Sequence, residues 1–298
     1  MSNTPSNPKG TRDFLPSELS KRNFIIDILK KNFKNFGFSE IETPALEKTS
    51  TLLGKYGNEG DRLVFKILNS GEKVKKADII ALKSNDLKSF TKSVSEKGLR
   101  YDLTVPLARY VAQHQNSLTF PFKRFQIQSV WRADRPQHGR FQEFTQCDAD
   151  VVGNNSIFQE IELIKLYDRI FSELGFDDLV FKINHRLILK GIADYLGLKT
   201  NLNEFISIID KLDKIGLDSV VNKIKEKFKD VSFSKLENLL KNKSLNFENI
   251  SLLLKDSLLA KKGIEDLKSV FDFISSKCIL FAMLRMLQYI VCHILHTF

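Results

Sequence analysis

A polar segment flanked by two strand-like stretches, from Phe125 to Asp150, constrains the fold of this chain more than any other feature. Successive side chains of a strand point to opposite faces of a sheet. Alternation therefore places residues of both stretches on one face: Gln126, Gln128, Val130, Arg132, Gln146, Asp148 and Asp150. The sequence predicts a hairpin on which a cation and several polar groups converge in one cleft. A solvated hairpin edge is the alternative.

The connection between these two strands adds several charges and a glycine: Asp134, Arg135, His138, Gly139 and Arg140. Guanidinium groups bind phosphates through paired hydrogen bonds. We therefore expect this loop to grip a polyanion, with a nucleoside triphosphate as the obvious candidate. His138 is expected to be solvated.

Composition limits the class of protein. The chain has 298 residues, of which 42% are apolar, enough for one large domain or a domain with an insertion. Its net charge of +10 has two interpretations. It attracts polyanions such as RNA, or it reflects a lysine-rich composition that is unrelated to any binding partner. Three cysteines without metal-type spacing predict neither a metal site nor a disulfide framework, and favour a cytoplasmic protein. The N-terminus has no apolar run, so we expect no signal peptide or membrane anchor.

The N-terminal elements follow from turn residues and apolar spacing. Residues 1–16 are rich in Pro, Ser and Asn and are predicted to form an arm. Ser17 is the expected cap of an amphipathic helix that ends at Gly37. The next segment, 38–44, reads as a strand that stops at Pro44 because proline cannot donate to a ladder.

Two short strands are predicted further along, at Leu63–Leu68 and Leu99–Leu103. Thr104 is then the expected cap of a helix with Pro106 in its first turn. After the hairpin, a helix is predicted from Ser156 to Leu174, followed by a strand at 179–184. Residues 186–276 read as helical throughout.

The last stretch, 273–298, differs in composition from the rest. It contains only Lys277 and Arg285 as charged residues, whereas the chain average of 28% would give about seven. A membrane helix and a buried helix are two interpretations of this run. The preferred hypothesis is that the tail is not the native continuation, with a frame change or truncation near residues 273–277.

Four segments, in this order along the chain, together resemble the histidyl-tRNA synthetase family, whose members are class II aminoacyl-tRNA synthetases. They are PKGTRDFLP at 8–16, the helix and strand ending at Pro44 (motif 1), LRYDLTVPLARY at 99–110, and the hairpin at 125–150 (motif 2). The resemblance implies an α+β fold, a class II synthetase-like antiparallel sheet flanked by helices, with an all-helical insertion. It also implies a homodimer formed through motif 1.

The implied domain organisation has four parts. An N-terminal arm covers 1–16, the catalytic core 17–185, the helical insertion domain 186–272, and the atypical tail 273–298.

The resemblance implies a role for each polar residue of the hairpin in binding ATP. Arg132 would stabilise charge on the α-phosphate and is the implied catalytic residue. Asp134 would approach the adenine edge, Phe144 would stack on the base or simply pack in the core, and Arg140 would hold the terminal phosphates.

The implied histidine site consists of Asp102, Thr104, Gln146 and Asp150. Asp102 and Thr104, on one face of their predicted strand, would bind the α-amino group, and Asp150 would accept a hydrogen bond from the imidazole. Thr104 as a helix cap only is the alternative.

The implied partners are tRNA(His), histidine and ATP with Mg²⁺, with Arg135 and Gln137 meeting the acceptor end. Gln142 stands where many family members carry a second loop arginine, which departs from the family's tRNA contacts.

The implied activity is that of a histidine–tRNA ligase. However, the family's Arg-Gly-Leu-x-Tyr-Tyr segment, its motif 3 and its anticodon-binding domain do not occur in this sequence. We therefore expect the chain alone to be weakly active or inactive. Two other functions remain open: a synthetase-like regulatory subunit of ATP phosphoribosyltransferase that does not charge tRNA, and a tRNA-binding module.

Overall fold

The structure, a computed structural model, describes residues 5–55, 57–176, 181–198, 201–209, 211, 215–229, 231–241, 247–274 and 279–281. The chain divides into two compact units, residues 1–154 and 155–298.

The described residues of the first unit form six strands and six α-helices. The strands are β1 (Ser39–Glu40), β2 (Leu46–Lys48), β3 (Lys66–Ile67), β4 (Lys97–Leu99), β5 (Phe122–Trp131) and β6 (Glu143–Val152). The helices are α1 (Pro16–Asn35), α2 (Thr49–Leu52), α3 (Gly57–Leu63), α4 (Ile79–Lys83), α5 (Leu87–Val94) and α6 (Thr104–His114), with a 3₁₀ helix at Gly71–Lys76.

The strands of the first unit form two three-stranded sheets, in the orders β1-β5-β6 and β2-β4-β3. Among the described residues of this unit, β1 and β5 run parallel and the other strand pairs are antiparallel. Helices and mostly antiparallel strands in one unit make this an α+β fold, as predicted.

The first helix confirms one predicted boundary and corrects the other. It begins at Pro16 rather than after a Ser17 cap, and the Glu18 carboxylate accepts the Leu15 N–H at 3.1 Å. It ends as predicted at Gly37, which adopts a left-handed backbone (φ +78°) while the Phe38 N–H returns to the Phe33 carbonyl.

α1 packs its C-terminal half against the longer strands. Phe33 is 1% exposed, and its ring stacks on that of Phe125 at a centroid distance of 4.8 Å. The apolar stripe that makes this helix amphipathic also includes Leu19, Phe24 and Ile25 in its first half, and these three are exposed. Only the second half of that stripe is therefore buried within the unit.

The predicted short strands exist but with different limits. The strand predicted at 38–44 contains only β1. Residues 63–68 are divided between the end of α3 and β3, and the strand predicted at 99–103 overlaps β4 only at Leu99. Strands of two or three residues depend on their neighbours in the sheet, and local sequence defines their ends poorly.

The second unit contains α7 (Phe158–Glu173), β7 (Phe181–Ile183) and then helices until β8 (Ile279–Phe281), which pairs in parallel with β7. These helices are α8 (Arg186–Leu196), α9 (Leu202–Ile209), α10 (Leu217–Lys227), α11 (Phe233–Lys241), α12 (Phe247–Leu253) and α13 (Leu258–Phe273). Their core is aliphatic and aromatic, with Ile188, Leu196 and Leu236 among its fully buried members. The predicted domain limits at 185, 186 and 272 stay predictions.

The atypical tail is described only at residues 273, 274 and 279–281. The hypotheses about it otherwise concern residues outside the described part of the chain. Among the described residues, no helix combines the length and the apolar character needed to cross a bilayer.

Candidate active site

The hairpin of β5 and β6 presents a polar face, as the sequence predicted. Residues directly opposite one another in an antiparallel pair lie on the same face. The pairs on this face are Arg124–Asp150, Gln126–Asp148, Gln128–Gln146 and Val130–Phe144. We call this set the polar face of the hairpin. The other face carries Phe125 against α1, so apolar packing on one side supports a polar surface on the other.

Arg132 directly follows β5 and is held by neutral groups. Its Nε donates to the Tyr101 carbonyl at 3.2 Å. Its guanidinium carbon lies 4.4 Å from the centroid of the Tyr101 ring and 5.2 Å from that of Phe144. None of these contacts neutralises the positive charge. The guanidinium is thus fixed in orientation and remains able to bind an anion.

Asp134 and Arg140, assigned from the sequence to different parts of ATP, form an ion pair with each other at 3.0 Å. The sequence did not predict this pairing. Arg140 is 54% exposed on its side chain, and such surface pairs contribute only about 0.2–1 kcal/mol. A polyphosphate can therefore replace Asp134 as the partner of Arg140 at little expense.

The turn that closes the hairpin loop is exposed. The backbone N–H of Arg140 donates to the Gln137 carbonyl at 2.9 Å, which closes a tight turn. Arg135, Gln137 and His138 are exposed, as expected for His138. These side chains are available to a large partner.

The prediction that Asp102 and Thr104 share one face of a strand is wrong. The chain bends at Leu103, and Thr104 is the first residue of α6. The Asp102 carboxylate accepts the N–H groups of Thr104 at 3.1 Å and Val105 at 3.2 Å. Asp102, not Thr104, therefore caps this helix, because its acceptor reaches the otherwise unpaired N–H groups of the first turn.

A buried ion pair that the sequence did not reveal lies at the centre of the polar face. Arg124 is completely buried, and its Nη2 lies 2.5 Å from Asp150 Oδ2. Desolvation lowers the pKa of Arg124, whereas Asp150 opposes that shift. Burial raises the pKa of Asp150, Arg124 opposes the rise, and Asp102 adds to it. Arg124 thus favours the charged form of Asp150 in a buried environment.

Asp148 completes a group of three carboxylates. Burial raises its pKa to about 6; Arg124 and Arg132 act against this shift, and the charges of Asp150 and Asp102 increase it. Asp102, although it belongs to the start of α6, therefore acts electrostatically on the same cleft as the polar face. Gln146 adds a buried amide oxygen with no hydrogen-bond partner among the described residues.

A buried hydrogen-bond network supports the polar face from β4 and the segment after β1. Arg100 is 3% exposed, and its Nη1 donates to the Thr43 carbonyl at 2.5 Å and to Gln128 Oε1 at 3.1 Å. The Gln126 amide donates to Thr43 Oγ1 at 2.8 Å. Gln126 and Gln128 are therefore used within the protein, and the network rigidifies the strand that ends at Arg132.

The N-terminal arm fastens the base of the loop. The Gly10 carbonyl accepts the Gln142 N–H at 2.7 Å, and a Cβ added at Gly10 (φ +85°) would lie 2.7 Å from Gln142 Cγ. The Arg12 guanidinium lies over the rings of Phe14 and Phe141 at 4.5 and 4.7 Å. The contacts with Gln142 and Phe141 join sequence-distant segments, which is why local patterns did not predict them.

Comparison with known proteins identifies the family. The family model described as histidyl-tRNA synthetase matches residues 81–287. This chain belongs to the histidyl-tRNA synthetase family. A histidine–tRNA ligase of Christiangramia forsetii is 53% identical over 274 residues, covering 91% of this chain and 60% of the relative. One from Porphyromonas gingivalis is 48% identical over 275 residues, covering 90% and 60%. The chain thus spans about 60% of the length of these curated relatives.

Solved structures confirm the class II synthetase-like fold of this histidyl-tRNA synthetase family member. Histidyl-tRNA synthetase from Nostoc sp. PCC 7120 superposes with a TM-score of 0.73 at 27% identity, covering 94% of this chain and 60% of that one. The structure of an ATP phosphoribosyltransferase regulatory subunit/histidyl-tRNA synthetase from Bacillus halodurans gives a TM-score of 0.72 at 20% identity, covering 93% of this chain and 68% of that one. At that identity the likeness concerns the fold alone.

Proposed function

We propose that this chain serves as a histidine–tRNA ligase subunit that activates histidine with ATP to histidyl-adenylate and transfers it to tRNA(His). The curated relatives with that name support this proposal, as does the membership of the family. The observation that carries it is the juxtaposition of an unneutralised, oriented Arg132 with the carboxylates that surround the polar face of the hairpin.

The activation step requires the histidine carboxylate to attack the α-phosphate of ATP, which builds negative charge on that phosphate. A fixed cation at this point accelerates the reaction because it stabilises the transition state without having to reorganise. We assign this role to Arg132. Loss of one such group typically lowers turnover by about 10²–10³-fold.

The remaining ATP contacts follow from the loop. Arg140 exchanges Asp134 for the terminal phosphates, which frees the Asp134 carboxylate to approach the adenine amino group. Phe144, whose ring already stacks against the Arg132 guanidinium, offers its face to the base. Mg²⁺ accompanies the ATP.

The histidine contacts use acceptors, because the ammonium and the ring N–H of this amino acid are donors. We assign the ammonium to Asp102, Thr104 and Gln146, and the ring to Asp150. The buried, unpaired oxygen of Gln146 supports this assignment, since a ligand donor would satisfy it. Such a site rejects apolar analogues because its acceptors would lose their partners.

The exposure of certain side chains supports our assignment of the contacts with larger partners. Arg135 and Gln137, exposed at the tip of the loop, are assigned to the acceptor end of tRNA(His). The exposed Leu19, Phe24 and Ile25 of α1 support a homodimer through motif 1, because burying them would recover apolar contact area. A cytoplasmic location belongs to the same proposal.

A chimaera tests this function. Residues 1–272 joined to the remaining segment of the Christiangramia forsetii ligase should charge tRNA(His), and the variant Arg132→Ala should lose about 10²–10³-fold in turnover. The surface variant Arg169→Ala is the matched control, because that arginine is exposed in the second unit.

A folded chimaera that fails to charge tRNA would contradict the proposal. The unjoined chain should be weakly active or inactive, and turnover near that of the chimaera would refute this part.

A regulatory subunit of ATP phosphoribosyltransferase is the second candidate, supported by the fold similarity to the Bacillus halodurans protein. A regulator has no need for an oriented α-phosphate cation. Histidine-dependent exchange of pyrophosphate into ATP by the chimaera would favour the ligase, and histidine binding without any exchange would favour the regulator.

A further inference from the structure

The polar face contains the carboxyl group of Asp148, to which the proposed function assigns no role. Gln146, Asp148 and Asp150 occupy alternate positions of β6 and so point to one side. Gln146 and Asp150 are assigned to histidine, whereas Asp148 lies between them and is half-buried. Its position alone places it within reach of any ligand that contacts both neighbours.

The charges around Asp148 are unevenly paired. Arg124, on the facing strand, is committed to Asp150 at 2.5 Å. Arg132 is stacked between two rings at the end of the same strand. Asp102 lies at the start of α6 and caps it. The Asp148 carboxyl group makes no hydrogen bond or ion pair with another described residue, so the site contains a half-buried acid without a dedicated donor.

The guanidinium group of Arg124, in the same cleft, also has an atom without a hydrogen-bond partner among the described residues. Arg124 is completely buried, and its Nε has no hydrogen-bond partner among the described residues. Buried polar atoms are ordinarily paired. These unpaired groups lie in the proposed amino-acid pocket. This indicates that a ligand, or a water molecule bound with it, supplies the missing hydrogen-bond partners.

We propose that Asp148 is a further histidine-binding residue: together with Asp150 it brackets the imidazole, so that each carboxyl group faces one ring nitrogen, and histidine binds with one proton shared between the ring and Asp148. This inference rests on the proposed function.

The spacing on the strand fits this arrangement. Residues two apart on a strand are separated by about 6.6–6.8 Å. Carboxyl oxygens that each make a hydrogen bond of roughly 2.8 Å with one nitrogen of a five-membered ring lie slightly further apart than this, which the two side chains reach by diverging slightly from the strand. Neighbours on one face of a strand can therefore contact both nitrogens at once.

The shared proton follows from matched acidities. The pKa of Asp148 is about 6, and that of a free imidazole is about 6.5. Either the protonated acid donates to a neutral ring, or the carboxylate accepts from an imidazolium. Each of these bound forms contains one more proton than separate neutral histidine and ionised Asp148 contain together. Binding above neutral pH must therefore take up a proton, and below about pH 6 it must release one.

Calorimetric titration of the intact chain with L-histidine measures this directly. Titrations near pH 8 in two buffers with different ionisation enthalpies should give an uptake of about one proton per histidine. The affinity should fall about tenfold for each pH unit above neutrality. In Asp148→Asn both the uptake and the pH slope should disappear. Glu143→Gln, an exposed acid on the same strand but the opposite face, should behave like the native chain.

Methylated ligands provide a test that needs no variant. If both ring nitrogens are contacted by carboxyl groups, histidine methylated at either nitrogen should bind at least tenfold more weakly than histidine. Equal binding of one isomer, or proton uptake that persists in Asp148→Asn, would overturn the inference while leaving the proposed function intact. Absence of any histidine binding to the native chain would overturn both.

Discussion

The interiors of the two units differ in chemistry. Among the described residues, buried polar or charged side chains of the first unit include Glu47, Arg100, Arg124 and Gln126, whereas His185 is the one in the second. His185 caps α8 by accepting the Leu187 N–H at 3.1 Å. The helical core of the second unit is otherwise built of aliphatic and aromatic side chains.

This difference indicates a division of tasks. Burying charge is unfavourable unless each charge is paired, so an apolar core is the simpler way to stabilise a unit. The first unit accepts that penalty and gains fixed polar groups on the polar face of the hairpin. The second unit keeps the simpler core, and charged side chains such as Lys225 and Glu237, which pair at 3.7 Å, are exposed at its surface.

The largest effect should come from removing the buried cation. Arg124→Met leaves Asp150 without its partner and should lower the free energy of unfolding by about 3–5 kcal/mol. Trp131, the single tryptophan, lies at the end of β5 and reports urea unfolding of the first unit. The exposed Arg169→Met should change stability by less than about 0.5 kcal/mol. A loss below about 1 kcal/mol for Arg124→Met would mean that the pair is not important for this core.

The next effect has the opposite sign. The pKa of Asp148 is raised from 3.8 to about 6, so the folded state binds its proton more tightly than the unfolded state. Stability contributed by this proton is complete below about pH 4 and is lost as the pH rises through 6. Asp148→Asn should therefore stabilise the first unit above pH 6 by up to about 3 kcal/mol. Urea unfolding at pH 4 and pH 8 checks this, and an equal effect at both values would refute it.

A smaller effect is expected in the second core. Ile224 is fully buried among apolar side chains, and Ile224→Val should lower stability by about 0.5–1.5 kcal/mol through the lost methylene and the space it leaves. The circular dichroism of the helices reports this unfolding. Histidine affinity should stay unchanged. A change in that affinity would show that the apolar core and the polar face are coupled.

The smallest effect concerns the exposed ion pair of the loop. Asp134→Asn should alter unfolding by no more than about 1 kcal/mol, because its partner Arg140 is largely solvated. Its effect should appear instead in ATP affinity, measured by the quenching of Trp131. A stability loss as large as that of Arg124→Met would contradict the distinction between buried and exposed pairs.

Long, regular patterns were predictable from the sequence, whereas contacts between distant segments were not. The hairpin and its polar face were predicted because polar residues recur at alternate positions, at Gln126 and Gln128 in β5 and at Gln146, Asp148 and Asp150 in β6. The ion pair of Arg124 with Asp150 was not predicted, because Arg124 lies among aromatic residues in the sequence. Which residue faces Arg124 across the hairpin depends on the strand register. Register becomes known only when both strands and their turn are in place.

The bend at Leu103 illustrates another limit. Asp102 and Thr104 were assigned to one face of a predicted strand, but the helix that begins at Thr104 takes its cap from Asp102. Both residue types are suitable caps, so composition alone did not distinguish them. The contacts of Arg12 with two rings likewise depend on the path of the arm.

The most direct test of the polar face as an amino-acid activation site is the fluorescence of Trp131, which directly precedes Arg132. Titration with histidine and, separately, with ATP and Mg²⁺ should each give a saturable change. Asp150→Asn should weaken only the histidine titration, and Arg132→Ala should weaken the ATP titration. Native protein that responds to neither ligand, or variants that leave both titrations unchanged, would contradict the account.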